Sequence, residues 1–215
     1  MFACRILTSW RHVFQTRGQN VIKNVRSLSN MGDLKNNMVW IDMEMTGLDV
    51  VNDHILEVAC LITDDKLNIR GSPFSQIVHV SDDILNGMND WCKTHHEQSG
   101  LTQKVKESSV TIEQTEELLL DFLKKHNIPV AQCPLAGNSV YMDRLFMKKY
   151  MPSVDKYLHY RIVDVSTVGI LSRLWSPTIE DNKPIKKRNH RALDDITESI
   201  NQLKYYKDNL FKTQI

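Results

Sequence analysis

From residue 38 the chain alternates: Val39, Ile41 and Met43 fall between Trp40, Asp42 and Glu44, which is the two-residue period of a β-strand. After the turn-prone "TGLD" come two more β-rich stretches, "HILEVACLIT" and "NIRGSPFSQIVHV", joined by polar residues. Three successive strands with short connections predict antiparallel pairing. The period then becomes helical in "TIEQTEELLLDFLKKHNI", where Thr111 and Gln114 have capping-box spacing and Leu118, Leu119, Phe122 and Leu123 form the apolar face; Pro129 ends the segment. A short strand, "CPLAG", leads into the helix "NSVYMDRLFMKKYMP", for which Asn138 or Ser139 is the expected cap. "YRIVDVS" reads as a strand, "TVGILSRLW" as a helix and "SPTIEDNKPIKKRN" as a polar, basic loop. A last helix from about Arg191 to Phe211 carries Leu193, Ile196, Ile200 and Leu203 on one stripe. The order βββ, α, β, α, β, α, α predicts an α/β fold, a mixed sheet with helices on its faces.

At 215 residues, 41% hydrophobic and 25% charged, the composition is that of an ordinary globular domain, and apolar runs such as "VACLIT" are far short of the roughly 20 residues that cross a bilayer. No membrane span is expected. Cys4, Cys60, Cys92 and Cys133 form no C-x-x-C pair, which argues against a zinc site and a disulfide framework. Charge divides unevenly. Residues 1–32 hold Arg5, Arg11, Arg17, Lys23 and Arg26 with no acid, among Ser, Thr and isolated apolar residues. This is the pattern of a mitochondrial presequence, with a basic nucleic-acid-binding arm as the alternative. The expected division is thus a targeting segment over 1–32 and one domain over 33–215. Initiation at Met31 would leave that domain without the signal, in the cytoplasm or nucleus. With 5 of the 27 basic residues in the segment and all 26 acids beyond it, the domain has 22 basic residues, a formal charge of −4.

The strand parity puts Asp42 and Glu44 on one face. Two ionised carboxylates there repel each other and resist desolvation unless the face is solvated or a cation compensates them. A divalent cation would suit them, and hard oxygen donors favour Mg²⁺ or Mn²⁺ over Zn²⁺. Asp143 sits early in a helix directly after the strand "PLAG", placed either to reach a neighbouring strand end or to pair with Arg144 or Lys148. "NHRALDDITESI" supplies His190 with Asp194 and Asp195; an offset of five on one helix is about 140°. His190 therefore needs a position before the helix to meet Asp195, and the apolar stripe alone does not choose between the two aspartates.

D-x-E on the first strand, an Asp early in a helix, then His and Asp five apart resemble the DEDDh 3′-to-5′ exonucleases of the ribonuclease H-like fold. "WIDMEMTGLD", "GNSVYMDR", "HYRIVDVST" and "NHRALDDI" resemble the oligoribonuclease family within them, over about residues 36–208. The resemblance implies that Asp42, Glu44, Asp143 and Asp195 hold two divalent metal ions, Mg²⁺ or Mn²⁺, and that His190 is the general base. It implies short RNA oligonucleotides, dinucleotides especially, as substrates. Leu48 would wedge against the terminal bases and Trp91 stack on one; Ser139, His159 and Arg161 would hold the 5′ phosphate. Tyr160 would reach across a homodimer interface into the partner's site. Tyr141 and Met142 depart from the family pattern, which has a smaller residue and then glutamine before the helix Asp.

Overall fold

The computed structural model describes residues 36–185 and 191–211. Readings that fall on residues 1–32, on the basic stretch Lys186, Lys187 and Arg188, and on His190 lie outside the described residues.

Strand β1 (Asn37–Met45) carries the D-x-E pattern and pairs antiparallel with β2 (Ile55–Asp64), which pairs antiparallel with β3 (Phe74–Ile77). On its other edge β1 runs parallel to β4 (Pro134–Gly137), and β4 runs parallel to β5 (His159–Asp164). The order among the described residues is β3-β2-β1-β4-β5, the mixed sheet that the sequence predicts. Between β3 and β4 lie α1 (Asp82–Gly87), α2 (Asp90–Gln98), α3 (Leu101–Glu107) and α4 (Ile112–Lys125). Helices α5 (Tyr141–Tyr150) and α6 (Pro152–Tyr157) connect β4 to β5, and α7 (Val165–Trp175), α8 (Pro177–Asp181) and α9 (Ala192–Leu210) follow.

The parity of β1 sorts the core. Val39, Ile41 and Met43 join Val58, Cys60 and Ile62 of β2 beneath Leu119 and Leu123 of α4 and Phe146 and Met147 of α5. Trp40 faces the other way, with Ala59, Leu61 and Ala136, against Ile196, Ile200 and Tyr206 of α9. Its fully buried indole donates to Thr63 Oγ1 at 2.9 Å, satisfying the ring nitrogen inside the core. Asp42 and Glu44 share the parity of Trp40, so the long C-terminal helix packs on the face that carries them. The close approach of β4 to β1 requires a glycine: a Cβ on Gly137 would lie 3.1 Å from the Ile41 carbonyl oxygen.

Several local expectations change in the folded chain. The capping box at Thr111 and Gln114 forms, but Leu118 is exposed and Thr115 takes its place on the buried face of α4. Neither Asn138 nor Ser139 caps α5 with its side chain; Val140 is the cap residue. Asn138 instead donates to Ser199 Oγ and Gln202 Oε1 of α9, partners over sixty residues away that no local pattern reveals. Part of the predicted loop after α7 is the short helix α8, opened by Pro177. Helices α1 to α3 were not foreseen. They are short, Gly100 at φ +71° divides α2 from α3, and their apolar residues form a separate small cluster with Leu56 and Val80.

Candidate active site

The parallel strands β1, β4 and β5 run toward one edge of the sheet, the side on which open α/β sheets place their ligands. Asp42 and Glu44 sit near the end of β1. Asp195 lies in the first turn of α9, and it is Asp195 that joins them: Asp42, Glu44 and Asp195 each offer a carboxylate oxygen within 4.8 Å of the others. Of the two neighbouring aspartates, Asp194 stands outside the trio.

Asp143 comes from the opposite layer. Its carboxyl is 6% exposed, and Oδ1 accepts the Met43 amide at 3.0 Å, so it reaches over the strand end beside the trio. Arg144 is not its partner, since that guanidinium pairs with Asp155 and donates to the His159 carbonyl at 3.0 Å, fastening α5 to β5. Asp42, Glu44 and Asp143 all line one open cleft of about 490 Å³, with Leu48, Trp91 and Ser139 on its walls.

Burial and mutual repulsion act on the acids of this cleft. Burial is the largest influence on Glu44, and Asp195, Glu57 and Asp143 add to it; against the opposing pull of Arg191 the carboxyl is pushed from an ordinary 4.5 to about 8. Burial likewise raises Asp143. The carboxylate oxygens of Asp42, Glu44 and Asp195 are hard donors close enough together to hold a metal ion.

Hydrogen bonds and a ring stack brace the walls. Leu48 is 69% exposed at the tip of the β1–β2 turn, where Asp53 accepts from Thr46 Oγ1 at 2.7 Å and from the Asp49 amide at 2.8 Å. Asp53 packs so closely that a Cβ on Gly47 would lie 2.4 Å from it, which explains the glycine of "TGLD". Trp91, 57% exposed, stacks one face on His95 at 3.9 Å between ring centroids. That i, i+4 aromatic pair is legible in "WCKTH", though the sequence reading did not use it. His96 was also missed: it is buried in the cleft wall, its Nε2 donates to the Met45 carbonyl at 2.9 Å, and Nδ1 lies 4.0 Å from Glu44 Oε2.

Ser139 adopts a left-handed φ of 50°, held by its amide donating to Asp164 Oδ1 at 3.0 Å and Ser166 Oγ at 2.9 Å. Met142, one of the two departures from the family pattern, also lines the cleft. His159, Tyr160 and Arg161 do not. His159 is buried, and its Nδ1 accepts the Arg161 amide at 3.1 Å, so a neutral ring carries its proton on Nε2. Burial, then Arg161 and Arg144, hold it below the ordinary histidine range. Tyr160 is 55% exposed on the edge strand β5, with the Arg161 guanidinium 5.0 Å from its ring centre.

Residues 39–203 match the family model described as Exonuclease. A probable oligoribonuclease of Drosophila melanogaster is 49% identical over 198 residues, covering 92% of this chain and 93% of the relative. The mitochondrial oligoribonuclease of Homo sapiens is 52% identical over 178 residues, covering 83% and 75%. Among solved structures, E. coli exonuclease I in complex with a 5cy-dT13 oligonucleotide superposes with a TM-score of 0.63 at 18% identity, over 82% of this chain and 41% of that one. The match spans about two fifths of the exonuclease I chain and bears on the fold alone. On a family model spanning most of the chain and relatives near half identity, this chain belongs to the oligoribonuclease family of exonucleases.

Proposed function

We propose that the protein is a 3′-to-5′ exoribonuclease that hydrolyses short oligoribonucleotides, dinucleotides in particular, to nucleoside 5′-monophosphates. The observation that carries this reading is the trio Asp42, Glu44 and Asp195, two of whose members, Asp42 and Glu44, line a cleft walled by the exposed Leu48 and Trp91. Asp42, Glu44, Asp143 and Asp195 would hold the two divalent ions. Bound there, such ions offset the carboxylate charge and supply Lewis acidity at the scissile phosphate.

The chain's own groups do the rest. Leu48 wedges against the terminal bases while Trp91, rigid against His95, stacks on one, a contact that any base's π-face accepts. His190 takes a proton from the attacking water as its oxygen bonds to phosphorus and the 3′ oxygen departs. Short substrates are favoured by charge. The 33–215 domain is a formal −4, and among the described residues lining the cleft there is neither lysine nor arginine to track a long polyanion.

The family resemblance gives the 5′ phosphate to Ser139, His159 and Arg161, of which Ser139 alone lines this cleft among the described residues. Tyr160 is exposed and does not line the cleft of its own chain, as a tyrosine offered to a second copy would be placed. Its strand is an open sheet edge with Ile162 exposed, and the following helix α7 exposes Ile170, Leu174 and Trp175, an apolar band of the kind interfaces cover. A homodimer through β5 and α7 is the reading this band supports.

The bovine, human and mouse relatives are named mitochondrial, in keeping with residues 1–32 as a mitochondrial matrix presequence and 33–215 as the exonuclease domain. A reporter fused to residues 1–32 is expected in mitochondria, and a reporter that stays in the cytosol rejects that assignment.

The activity is tested with 5′-labelled RNAs of two to about twenty nucleotides and Mg²⁺. Dinucleotides should be consumed fastest, His190→Ala should lower kcat by about 10²–10⁴, and Trp91→Ala should weaken dinucleotide binding by about 1–3 kcal/mol. Preference for long RNA or DNA rejects the substrate assignment. In the same assay Leu174→Glu with Trp175→Glu should give monomers by light scattering and lose dinucleotide cleavage; dimers of full activity would exclude this interface.

Protons and metal should compete. Because Glu44 titrates higher in the folded chain than in the unfolded one, the folded state binds more protons, and its metal-free stability falls as pH rises from about 4.5 through about 8. The groups facing Glu44 are Asp195, Glu57, Asp143, Arg191 and His96. The rise in Tm produced by Mg²⁺ should therefore be larger at about pH 8 than at about pH 6, and the difference should shrink in Glu44→Gln. A Mg²⁺ effect that declines with rising pH contradicts the account.

A further inference from the structure

Glu57 of β2 stands directly across from Glu44 in the antiparallel register, so the two side chains share the face on which α9 packs. Its carboxylate is 1% exposed, and the metal trio does not include it. Arg191 engages both of its oxygens: Nε donates to Oε2 at 3.0 Å and Nη2 to Oε1 at 2.8 Å, and Ser75 Oγ adds a weaker contact to Oε1 at 3.3 Å. This is a two-point fork with fixed geometry. Arg191 is also the residue from which α9 starts. Its carbonyl accepts the amides of Asp194 at 2.9 Å and Asp195 at 3.1 Å, so its backbone fixes the turn that presents Asp195.

One residue thus links two parts of the site. Through its side chain it is pinned to the strand beside Glu44; through its backbone it fixes the first turn of α9. We propose that the Glu57–Arg191 ion pair is the positioning device that sets Asp195 against Asp42 and Glu44, and thereby governs how tightly the carboxylate cluster holds a divalent cation. The proposal rests on the reading of that cluster as a cation site.

Position and charge make opposite forecasts for one of the two partners. If the pair acted by charge alone, Glu57→Gln would remove an acid beside the cluster and weaken cation binding, whereas Arg191→Gln would remove a competing cation and strengthen it. These signs follow the directions in which Glu57 and Arg191 act on Glu44. If the pair acts by position, both substitutions release the start of α9 and both weaken binding. Arg191→Lys keeps the charge but loses the fork, so it weakens binding only in the second case.

The test is Mn²⁺ binding to the full chain, with free Mn²⁺ followed by electron paramagnetic resonance, and with the unfolding midpoint measured in parallel. Glu57→Gln, Arg191→Gln and Arg191→Lys should each weaken Mn²⁺ binding by about 10- to 100-fold, the effect expected of partners that orient metal ligands. Since breaking a buried pair from one side can unfold a protein, a double variant, Glu57→Met with Arg191→Met, is measured as well. It should recover the unfolding midpoint while Mn²⁺ binding stays weak.

Tighter binding in Arg191→Gln, or wild-type binding in Arg191→Lys and the double variant, overturns the proposal. Asp195→Asn is the control. If it abolishes Mn²⁺ binding while the pair variants do not change it, the cation site stands and the positioning role fails. If Asp195→Asn binds Mn²⁺ like the wild type, the cation-site reading itself fails.

Discussion

Two carboxylates one pleat apart on the central strand set the terms for much of this molecule. Asp42 and Glu44 share a face with Trp40, and that face must be covered by α9 to close the core. Covering it moves the acids out of water, and the molecule meets the electrostatic cost in graded ways. Trp40 and the stretch beside it are sealed completely. Toward the end of β1 the cover opens into a cleft, so that Asp42 and Glu44 keep a solvent path. Asp195 is then brought in, although a third acid worsens the repulsion. A stability-driven core would have placed a cation or an apolar residue there; the accumulation of acids makes sense as a site for an added ion.

Carboxylates also converge from both layers. Asp195 arrives with α9 on one face of the sheet, whereas Asp143 arrives with α5 from the face occupied by Phe146 and Met147 and meets the β1 backbone at Met43. They meet because β1 and β4 are parallel neighbours whose ends face the same edge, with Gly137 permitting the close approach. Arg144 tying α5 to the start of β5, Asn138 tying the end of β4 to α9, and Glu57 tying β2 to Arg191 cross-brace the elements around the cleft.

How much of this was legible beforehand depended on whether the cause was local. Strand parity alone placed Asp42 and Glu44 on one face, and Thr111 with Gln114 announced the start of α4 correctly. Periodicity could not separate Asp194 from Asp195, because that choice depends on how α9 is rotated on the sheet. Asn138 was misread as a helix cap because its partners, Ser199 and Gln202, are remote in sequence. Helices α1 to α3 escaped because their apolar residues are few and broken at Gly100, and their burial depends on Leu56 and Val80 of distant segments. Tyr160 carries no signal of its own in "HYR", because its exposure on the outer strand depends on the strand order and not on neighbouring residues. Glu57, finally, reads as a strand residue until its partner, 134 positions on, is seen.

The central claim is that the carboxylate cluster is a cation site. Its most direct test is anomalous diffraction from crystals grown with Mn²⁺ at slightly alkaline pH. The account predicts peaks in the cleft ligated by Asp42, Glu44 and Asp195, with Asp143 completing the set, absent in the Asp195→Asn protein. A cleft without anomalous density in crystals of a protein that is active in the same buffer, or peaks that avoid these carboxylates, would contradict it.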